Sequence, residues 1–145
     1  MDKKIAIELN SIDWFKHALF KDYVLPEALS CLNLTQERIL MTIKRSEQLP
    51  MVTIARAIGL EKGPFSQTVD KLETRGLVER IRSKEDKRLV YLQLTAKGLE
   101  MTEAIEASME AHFASKMAKL SAKERQQLFD ALEVLKHTSS ILINR

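Results

Sequence analysis

The chain has 145 residues, 45% of them hydrophobic and 30% charged, a balance that is typical of a globular domain and excludes a disordered chain. Its net charge of +3 is too small to indicate an anionic partner by itself. The longest stretch without Asp, Glu, Lys or Arg has nine residues, well short of the roughly 20 of a membrane span, and the single Cys31 excludes an internal disulfide framework. We therefore expect a cytoplasmic protein that is not inserted in a membrane.

The first predicted element is an amphipathic helix over residues 5–23, where apolar side chains recur at steps of three and four residues. Pro26 is expected to end or interrupt it. Thr35 is predicted to cap a second helix over residues 36–47, with Glu37 near its positive end. The apolar stripe of the first helix consists of Ile5, Leu9, Ile12, Phe15, Leu19 and Tyr23.

Two short helices follow, and their arrangement predicts a helix-turn-helix motif. The first covers residues 52–59, where Gly59 fits a left-handed helix end. The second lies within residues 60–76, where Pro64 suits the first turn and Gly76 closes the helix. Its buried stripe is predicted to be Phe65, Val69 and Leu72, and its polar outer face to hold Gln67, Asp70, Lys71 and Thr74, with Ser66 at the flank.

A two-stranded ribbon is predicted directly after this motif. Residues 77–83 and 89–95 alternate between the two faces of a strand, which indicates an antiparallel pair. The connection between them, KEDKR at residues 84–88, is highly charged. Five basic residues stand against two acidic ones within positions 80–88, so the whole net charge of the chain could be assigned there. A ribbon with a basic, solvated tip after a helix-turn-helix is a winged helix-turn-helix.

The final third of the chain is predicted to form two more helices. Apolar residues recur at helical steps from Met101 to Leu120, and Ser121 with Glu124 matches the capping-box pattern that starts the last helix. These helices exceed what a helix-turn-helix needs for its own core, so their apolar faces need a partner, and the simplest partner is a second copy of the chain. The stripe of the last helix consists of Leu128, Leu132, Leu135, Ser139 and Leu142.

Charge and geometry together indicate that this motif binds double-stranded DNA. The major groove is wide enough to admit the second helix of the motif, the recognition helix. The wing tip can then lie over phosphates and insert a cation into the narrower minor groove, where the negative potential is stronger. The apolar stems of the ribbon would anchor this tip to the core while the tip stays in water.

The sequence also resembles a known family. The tripeptide DKR at residues 86–88, followed by LVYLQLTAKG, resembles the D-x-R…L-T-x-x-G wing signature of MarR-type transcriptional regulators. The resemblance extends upstream through LTQERILMTI, IARAIGL and KLETRGLVERIRS. It implies a mainly α fold with a small antiparallel β-wing, in which residues 34–98 form the DNA-binding lobe and residues 1–33 and 99–145 form a helical dimerisation region.

The same resemblance implies a homodimer that binds a pseudo-palindromic operator, with its recognition helices in successive major grooves and its wings in the flanking minor grooves. In such proteins a small molecule, a metal or an oxidant often alters the separation of the two lobes and releases the DNA. Repression is the expected outcome, because a protein that covers the duplex blocks polymerase.

Candidate DNA contacts lie on the recognition helix, on the helix before it and on the wing. Helix starts offer N–H groups and a positive dipole to phosphates, and Gln67 can form a bidentate pair with adenine. The family pattern implies that one tip cation enters the minor groove and that Arg88 can pair with Asp86, which leaves open whether Lys87 or Arg88 enters. The recognition-helix candidates are Lys62, Gly63, Pro64, Ser66, Gln67 and Lys71, the wing candidates are Arg82, Lys84, Lys87 and Arg88 with Asp86 in a structural role, and the phosphate candidates are Thr53 and Arg56.

Other functions are less well supported by the residues. The sequence has no Gly-rich phosphate loop, no G-x-S-x-G, no HExxH and no close Cys/His pair, so we expect neither an enzyme nor a bound cofactor. A winged-helix module that binds a protein instead of DNA is the main alternative, because it would have the same elements with dispensable wing charges. A redox- or metal-responsive form of the same regulator is another.

Sensing sites leave little trace in one sequence. Cys31 lies in an apolar context, which favours a structural thiol over a peroxide sensor. None of the three histidines, His17, His112 and His137, has another His or Cys at metal-ligand spacing. The aromatic residues that could line a pocket for a small-molecule effector, or alternatively belong to the core and dimer stripe, are Trp14, Phe15 and Tyr23.

Overall fold

The structure, a computed structural model, describes residues 2–46 and 49–144 and is mainly helical with one two-stranded antiparallel sheet, as predicted. No helix in this described part of the chain is both long and apolar enough to cross a lipid bilayer. The elements are α1 (Asp2–Phe20), a 3-10 turn (Glu27–Leu29), α2 (Leu34–Arg45), α3 (Met51–Ile58), α4 (Lys62–Thr74), β1 (Val78–Arg82), β2 (Val90–Leu94), α5 (Ala96–Met117) and α6 (Ala122–Asn144).

The first helix is shorter at its end than its apolar stripe predicted. α1 stops at Phe20, and Asp22 follows with a left-handed φ of 66°. Asp tolerates this conformation better than most residues, so the chain turns before it reaches Tyr23. Pro26, the expected terminator, instead precedes the 3-10 turn.

The cap of α2 is Asn33, so the prediction of Thr35 was wrong. The Asn33 side chain accepts a bond from the Gln36 backbone N–H at 2.8 Å, and the Gln36 side chain accepts one from the Asn33 N–H at 3.1 Å. This reciprocal pair satisfies two N–H groups at once, which a cap at Thr35 would not do because Arg38 stands three residues after it. The helix ends at Arg45, and residue 47, its predicted end, lies outside the described residues.

The helix-turn-helix forms as its local signals predicted. Gly59 ends α3 with a φ of 73°, and Gly76 follows α4 with a φ of 72°, a region that costs glycine no Cβ clash. The two helices are joined by Gly59, Leu60 and Glu61. Side chains of α2 to α5 and of the sheet form the core. Its fully buried members include Ile39, Leu40, Ile54, Val69, Leu72, Leu77, Val78 and Ile105.

The sheet keeps one face on this core. Val78 pairs with Leu94, Arg80 with Leu92 and Arg82 with Val90, so these six residues share a face. Val78 and Leu92 are buried there, whereas Ile81 on the other face is exposed. Two arginines therefore lie on the core side of the wing, beside α3 and α4.

The long C-terminal helices begin at clear caps. Thr95 accepts a bond from the Gly98 N–H at 3.0 Å at the start of α5. The predicted capping box of α6 is confirmed, since Ser121 accepts from the Glu124 N–H at 3.1 Å and Glu124 accepts from the Ser121 N–H at 2.7 Å. Neither α1 nor α6 contains a described side chain that is fully buried in the single chain.

Candidate nucleic-acid interface

The recognition helix α4 buries one face and leaves the other free, as predicted. Phe65, Val69 and Leu72 are at most 2% exposed, and their spacing places them on one stripe. Gln67 and Lys71 are exposed on the opposite side, and Ser66 is half-buried at the flank. The polar residues of this helix can therefore approach a ligand without disturbing the core.

The first turn of α4 is accessible to a hydrogen-bond acceptor from another molecule. Lys62, Gly63 and Pro64 are all exposed there, and Glu61 at the N-cap makes no side-chain capping bond. The leading N–H groups of a helix have no partner within the helix and carry its positive dipole end. A phosphate could be bound at this turn by backbone N–H groups and the Lys62 ammonium.

The wing tip is held by a compact set of hydrogen bonds. The Asp86 carboxylate accepts from Arg88 three times, from Nε at 3.1 Å, from Nη2 at 3.1 Å and from the backbone N–H at 3.0 Å. These bonds, led by those of the side chain, hold the pKa of Asp86 below its usual value. Arg82 donates to the Lys87 carbonyl at 2.8 Å, and Ser83 accepts from the Asp86 N–H at 3.1 Å.

Two tip cations remain unengaged. Lys84 and Lys87 are exposed, and the structure gives neither side chain an ion pair or a hydrogen bond within residues 2–46 and 49–144. Arg88 is also accessible, with 90% of its side chain exposed, but its guanidinium is already paired with Asp86. The lysine ammonium groups are thus free to contact an anion.

A groove of about 760 Å³ runs between α3, the start of α4 and the wing. Its cations come from all three parts, with Arg56 on α3, Lys62 on α4 and Arg82 and Arg88 on the wing. Gly59 and Ser66 also line it. Thr53 is half-buried on α3 and is not among the lining residues. The structure thereby brings sequence-predicted cations from separate elements to one concave surface.

Arg80 joins the wing to the recognition helix, a role that the sequence analysis missed. Its Nη2 lies 2.7 Å from Asp70 Oδ1, and its Nη1 lies 2.6 Å from Glu73 Oε1. Burial by itself would lower the pKa of Arg80, but hydrogen bonds and charge attraction from Asp70 and Glu73 raise it overall. The available signal was its position on the apolar face of a strand, where a charge needs a partner.

The profile of the MarR family matches residues 32–90, from just before α2 to the start of β2. This segment of the chain is similar to the MarR family. An uncharacterized HTH-type transcriptional regulator, YdgJ of Bacillus subtilis (strain 168), is 26% identical over 105 residues, which are 71% of this chain and 64% of YdgJ. The chain therefore spans just under two thirds of the length of that relative.

Solved structures of low identity share the whole fold. MarR from E. coli in its apo form has a TM-score of 0.64 at 21% identity, covering 90% of this chain and 95% of that one. Streptococcus pneumoniae FabT in complex with DNA has a TM-score of 0.62 at 17% identity, covering 97% and 96%. The PcaV regulator of Streptomyces coelicolor, in complex with its natural ligand, has a TM-score of 0.60 at 22% identity, covering 89% of each chain.

The residues predicted to line an effector pocket do not form one group in this chain. Tyr23 is half-buried and packs edge to face against Phe20 and His112, and its hydroxyl lies 3.2 Å from Ser108 Oγ. Trp14 is 74% exposed, Phe15 is half-buried, and neither belongs to this aromatic cluster. The cluster, completed by Phe113, connects the end of α1 to α5.

The residues considered as redox or metal sensors are Cys31 and the histidines. Cys31 is exposed although Leu29 and Leu32 beside it are buried, so its apolar neighbours do not place the thiol in the core. His112 is engaged through Nε2 with the Leu19 carbonyl at 2.8 Å. In the described part of the chain, no group of three or more His, Cys, Asp or Glu side chains has the arrangement of a metal site.

Proposed function

We propose that this chain is a sequence-specific DNA-binding transcription regulator. The observation that carries the proposal is the groove between α3, α4 and the wing, because four of its lining residues are basic and come from three elements, beside the exposed outer face of α4. FabT, which has a similar fold, was solved in complex with DNA. Since the target is chromosomal DNA, we place the protein in the cytoplasm.

Each part of the surface has a distinct task in this proposal. Gln67 on the exposed face of α4 contacts base edges in the major groove. The first turn of α4, with Lys62 and Gly63, binds backbone phosphate, as do Arg56 and Lys71. The wing extends Lys84 and Lys87 over the flanking minor groove. Lysine is a compact point charge, so these two residues contribute affinity more than sequence preference.

The proposal includes a homodimer. The apolar stripes of α1 and α6 stay largely exposed in the single chain, with Ile5 at 52%, Leu9 at 53% and Leu135 at 47%. Exposed apolar area of this kind is typical of an interface. A two-fold dimer presents two recognition helices to two half-sites, which a single copy cannot do.

The proposed effect on transcription is repression, since a dimer that covers a promoter blocks polymerase. A small-molecule effector that separates the two lobes would release the DNA, and the structure of PcaV contains the natural ligand of that protein. For this chain the proposed effector region is the end of α1, where Tyr23 contacts α5 and where Trp14 and Phe15 lie nearby in sequence.

The test is a titration of the protein against mixed-sequence duplex DNA at several salt concentrations. If four cations of each subunit contact phosphates, the dimer makes about eight such contacts, and its affinity should fall roughly ten-thousandfold between 50 and 200 mM salt. The alternative function, a winged-helix module that binds a protein partner, predicts absent or salt-insensitive DNA binding. That result would reject the proposal.

A further inference from the structure

Arg80 occupies a position that is unusual for a wing cation. It lies on the core face of β1, and only 26% of its side chain is exposed. Its guanidinium reaches across to α4, where it meets residues 66, 70 and 73. These positions follow steps of four and three, so they lie along one face of the helix over two turns.

The contacts of Arg80 use most of its donors. Nη1 donates to Glu73 Oε1 at 2.6 Å, and Nη2 lies 2.7 Å from Asp70 Oδ1 and 3.2 Å from the Ser66 carbonyl oxygen. The Arg80 backbone N–H also donates to the second oxygen of Glu73 at 3.3 Å. Glu73 therefore holds both the side chain and the main chain of the strand. Several charge-assisted bonds to a planar group restrict orientation as well as distance.

A second arginine extends this connection to the tip. Arg82 follows two residues later on the same face of β1 and donates to the Lys87 carbonyl at 2.8 Å. Lys87, one of the two lysines proposed for the minor groove, is thus connected to the recognition helix through β1, which carries Arg80 at its centre and Arg82 at its end. The contacts of Arg80 therefore join the two elements that are proposed to contact DNA.

We infer that Arg80 is a positioning residue that sets the wing at a defined distance and angle from the recognition helix, so that both engage one DNA site together. The inference rests on the proposed DNA-binding function. Asp70 and Glu73 have a matching role, because they are the acceptors that hold Arg80. Their negative charges near DNA are unfavourable by themselves, and the geometry they impose on the wing outweighs that repulsion.

The decisive experiment uses the double variant Asp70→Asn/Glu73→Gln in the full chain. The probes are a duplex selected in vitro by the wild-type protein and a scrambled duplex of equal length. The variant gains two units of positive charge, so charge alone predicts tighter binding to both duplexes. The inference predicts the opposite for the selected duplex, a loss of about tenfold, with unchanged or tighter binding to the scrambled one.

Three further measurements make the result decisive. Arg80→Lys retains the charge but loses the planar fork, so it should lose specificity like Arg80→Gln. Glu79→Gln, on the exposed face of the same strand, removes one negative charge and should leave the ratio of specific to scrambled affinity unchanged. Thermal melting followed by circular dichroism must show that the variants are folded at the binding temperature. We expect the double variant to fold, because its two surface amides replace carboxylates of similar shape.

Two outcomes would overturn the inference. Tighter binding of Asp70→Asn/Glu73→Gln to the selected duplex would show that charge and not position governs these residues. Full specificity in Arg80→Lys would show that a fixed fork is not required. If wild-type protein bound no duplex, the proposed function would fail and this inference would fail with it. If the wild type bound DNA and the variants had the same affinity and specificity, only the role of Arg80 would be rejected.

Discussion

At the scale of single residues, the basic side chains of the wing differ in whether they already form hydrogen bonds within the protein. Arg82 and Arg88 are hydrogen-bonded within the tip, to the Lys87 carbonyl and to Asp86. Lys84 and Lys87 are exposed, and the structure shows no partner for either within its described ranges. A cation without an internal partner breaks no bond within the protein when it turns to a phosphate, so the lysines are the stronger candidates for minor-groove contact.

Lys87→Ala should weaken binding to all duplexes by about 1 kcal/mol and reduce the dependence on salt by about one phosphate contact per subunit. The measurement is a salt titration by fluorescence anisotropy. Lys119→Ala, an exposed lysine between α5 and α6, is the matched control and should have no effect. An unchanged salt slope in Lys87→Ala would exclude this residue from the DNA contact.

The stabilisation of the wing turn by Asp86 should be lost only in strong acid. Its carboxylate accepts bonds from Arg88, which keeps its folded pKa below the ordinary value of about 4. The stabilisation is therefore fully present above that ordinary value and is lost as the pH falls through the lowered one. A carboxyl-carbon NMR titration should give a lower midpoint for Asp86 in the wild type than in Arg88→Ala, and equal midpoints would contradict the pairing.

Gln67 is expected to determine sequence preference more than affinity. Its amide is exposed on the outer face of α4, where it can pair with the edge of adenine. Gln67→Ala should cost about 1–3 kcal/mol at one base position and leave binding to scrambled DNA nearly unchanged. In vitro selection with both proteins measures this directly. Identical selected sites would remove Gln67 from base recognition.

At the scale of elements, the start of α5 is packed against the chain just before the wing at Gly98. This residue lies buried in the first turn of α5, where a Cβ would collide with the backbone of Leu77 just before β1. The Leu77 carbonyl also accepts the Thr95 N–H at 3.1 Å, so the strand and the helix start are held together. Only a glycine permits this approach without moving the backbone.

Gly98→Ala should therefore lower the free energy of unfolding by about 1–3 kcal/mol or more, because backbone rather than a flexible side chain would have to move. Gly63→Ala is the matched control, since a Cβ there meets nothing within 4 Å and alanine favours a helix by up to about 1 kcal/mol. Urea denaturation of both variants gives the comparison. Equal stability of Gly98→Ala and wild type would show that α5 can shift at no cost.

At the scale of the whole molecule, the two terminal helices are the part that the single chain does not complete. No described side chain of α6 or α1 is fully buried, and half of the α1 stripe is exposed. The core instead lies between Leu29 and Ile105. If a second copy covers both stripes, the dimer interface would also set how the two recognition helices are placed relative to each other.

Leu135→Asp should yield monomers, because a carboxylate placed in an apolar interface costs several kcal/mol. These monomers should bind a selected duplex at least tenfold more weakly, since only one half-site is occupied. Gln127→Asp, an exposed polar position on the same helix, is the control. Light scattering that shows intact dimers for Leu135→Asp would place the interface elsewhere.

The periodic features of the chain could be predicted because they depend on neighbours in sequence. The stripe of Phe65, Val69 and Leu72, the left-handed Gly59 and the capping box of Ser121 follow from spacing within one turn or one helix. The cap of α2 was misassigned because two polar residues, Asn33 and Thr35, both fit a helix start. The residue three positions later distinguishes them, since Gln36 completes a capping box with Asn33 whereas Arg38 cannot do so with Thr35.

The sequence by itself thus determined the order of helices, the hairpin and its charged tip, because each is stabilised by residues within a few positions of one another. The tertiary structure alone decided which charges are engaged: Arg80 with Asp70 and Glu73, Arg82 with the Lys87 carbonyl, and Lys84 and Lys87 left open to solvent. It also decided that Cys31 faces outward. The physical reason is that a charge pair or the direction of a side chain depends on distances between elements, and these are set by how the helices and the wing pack on a shared core.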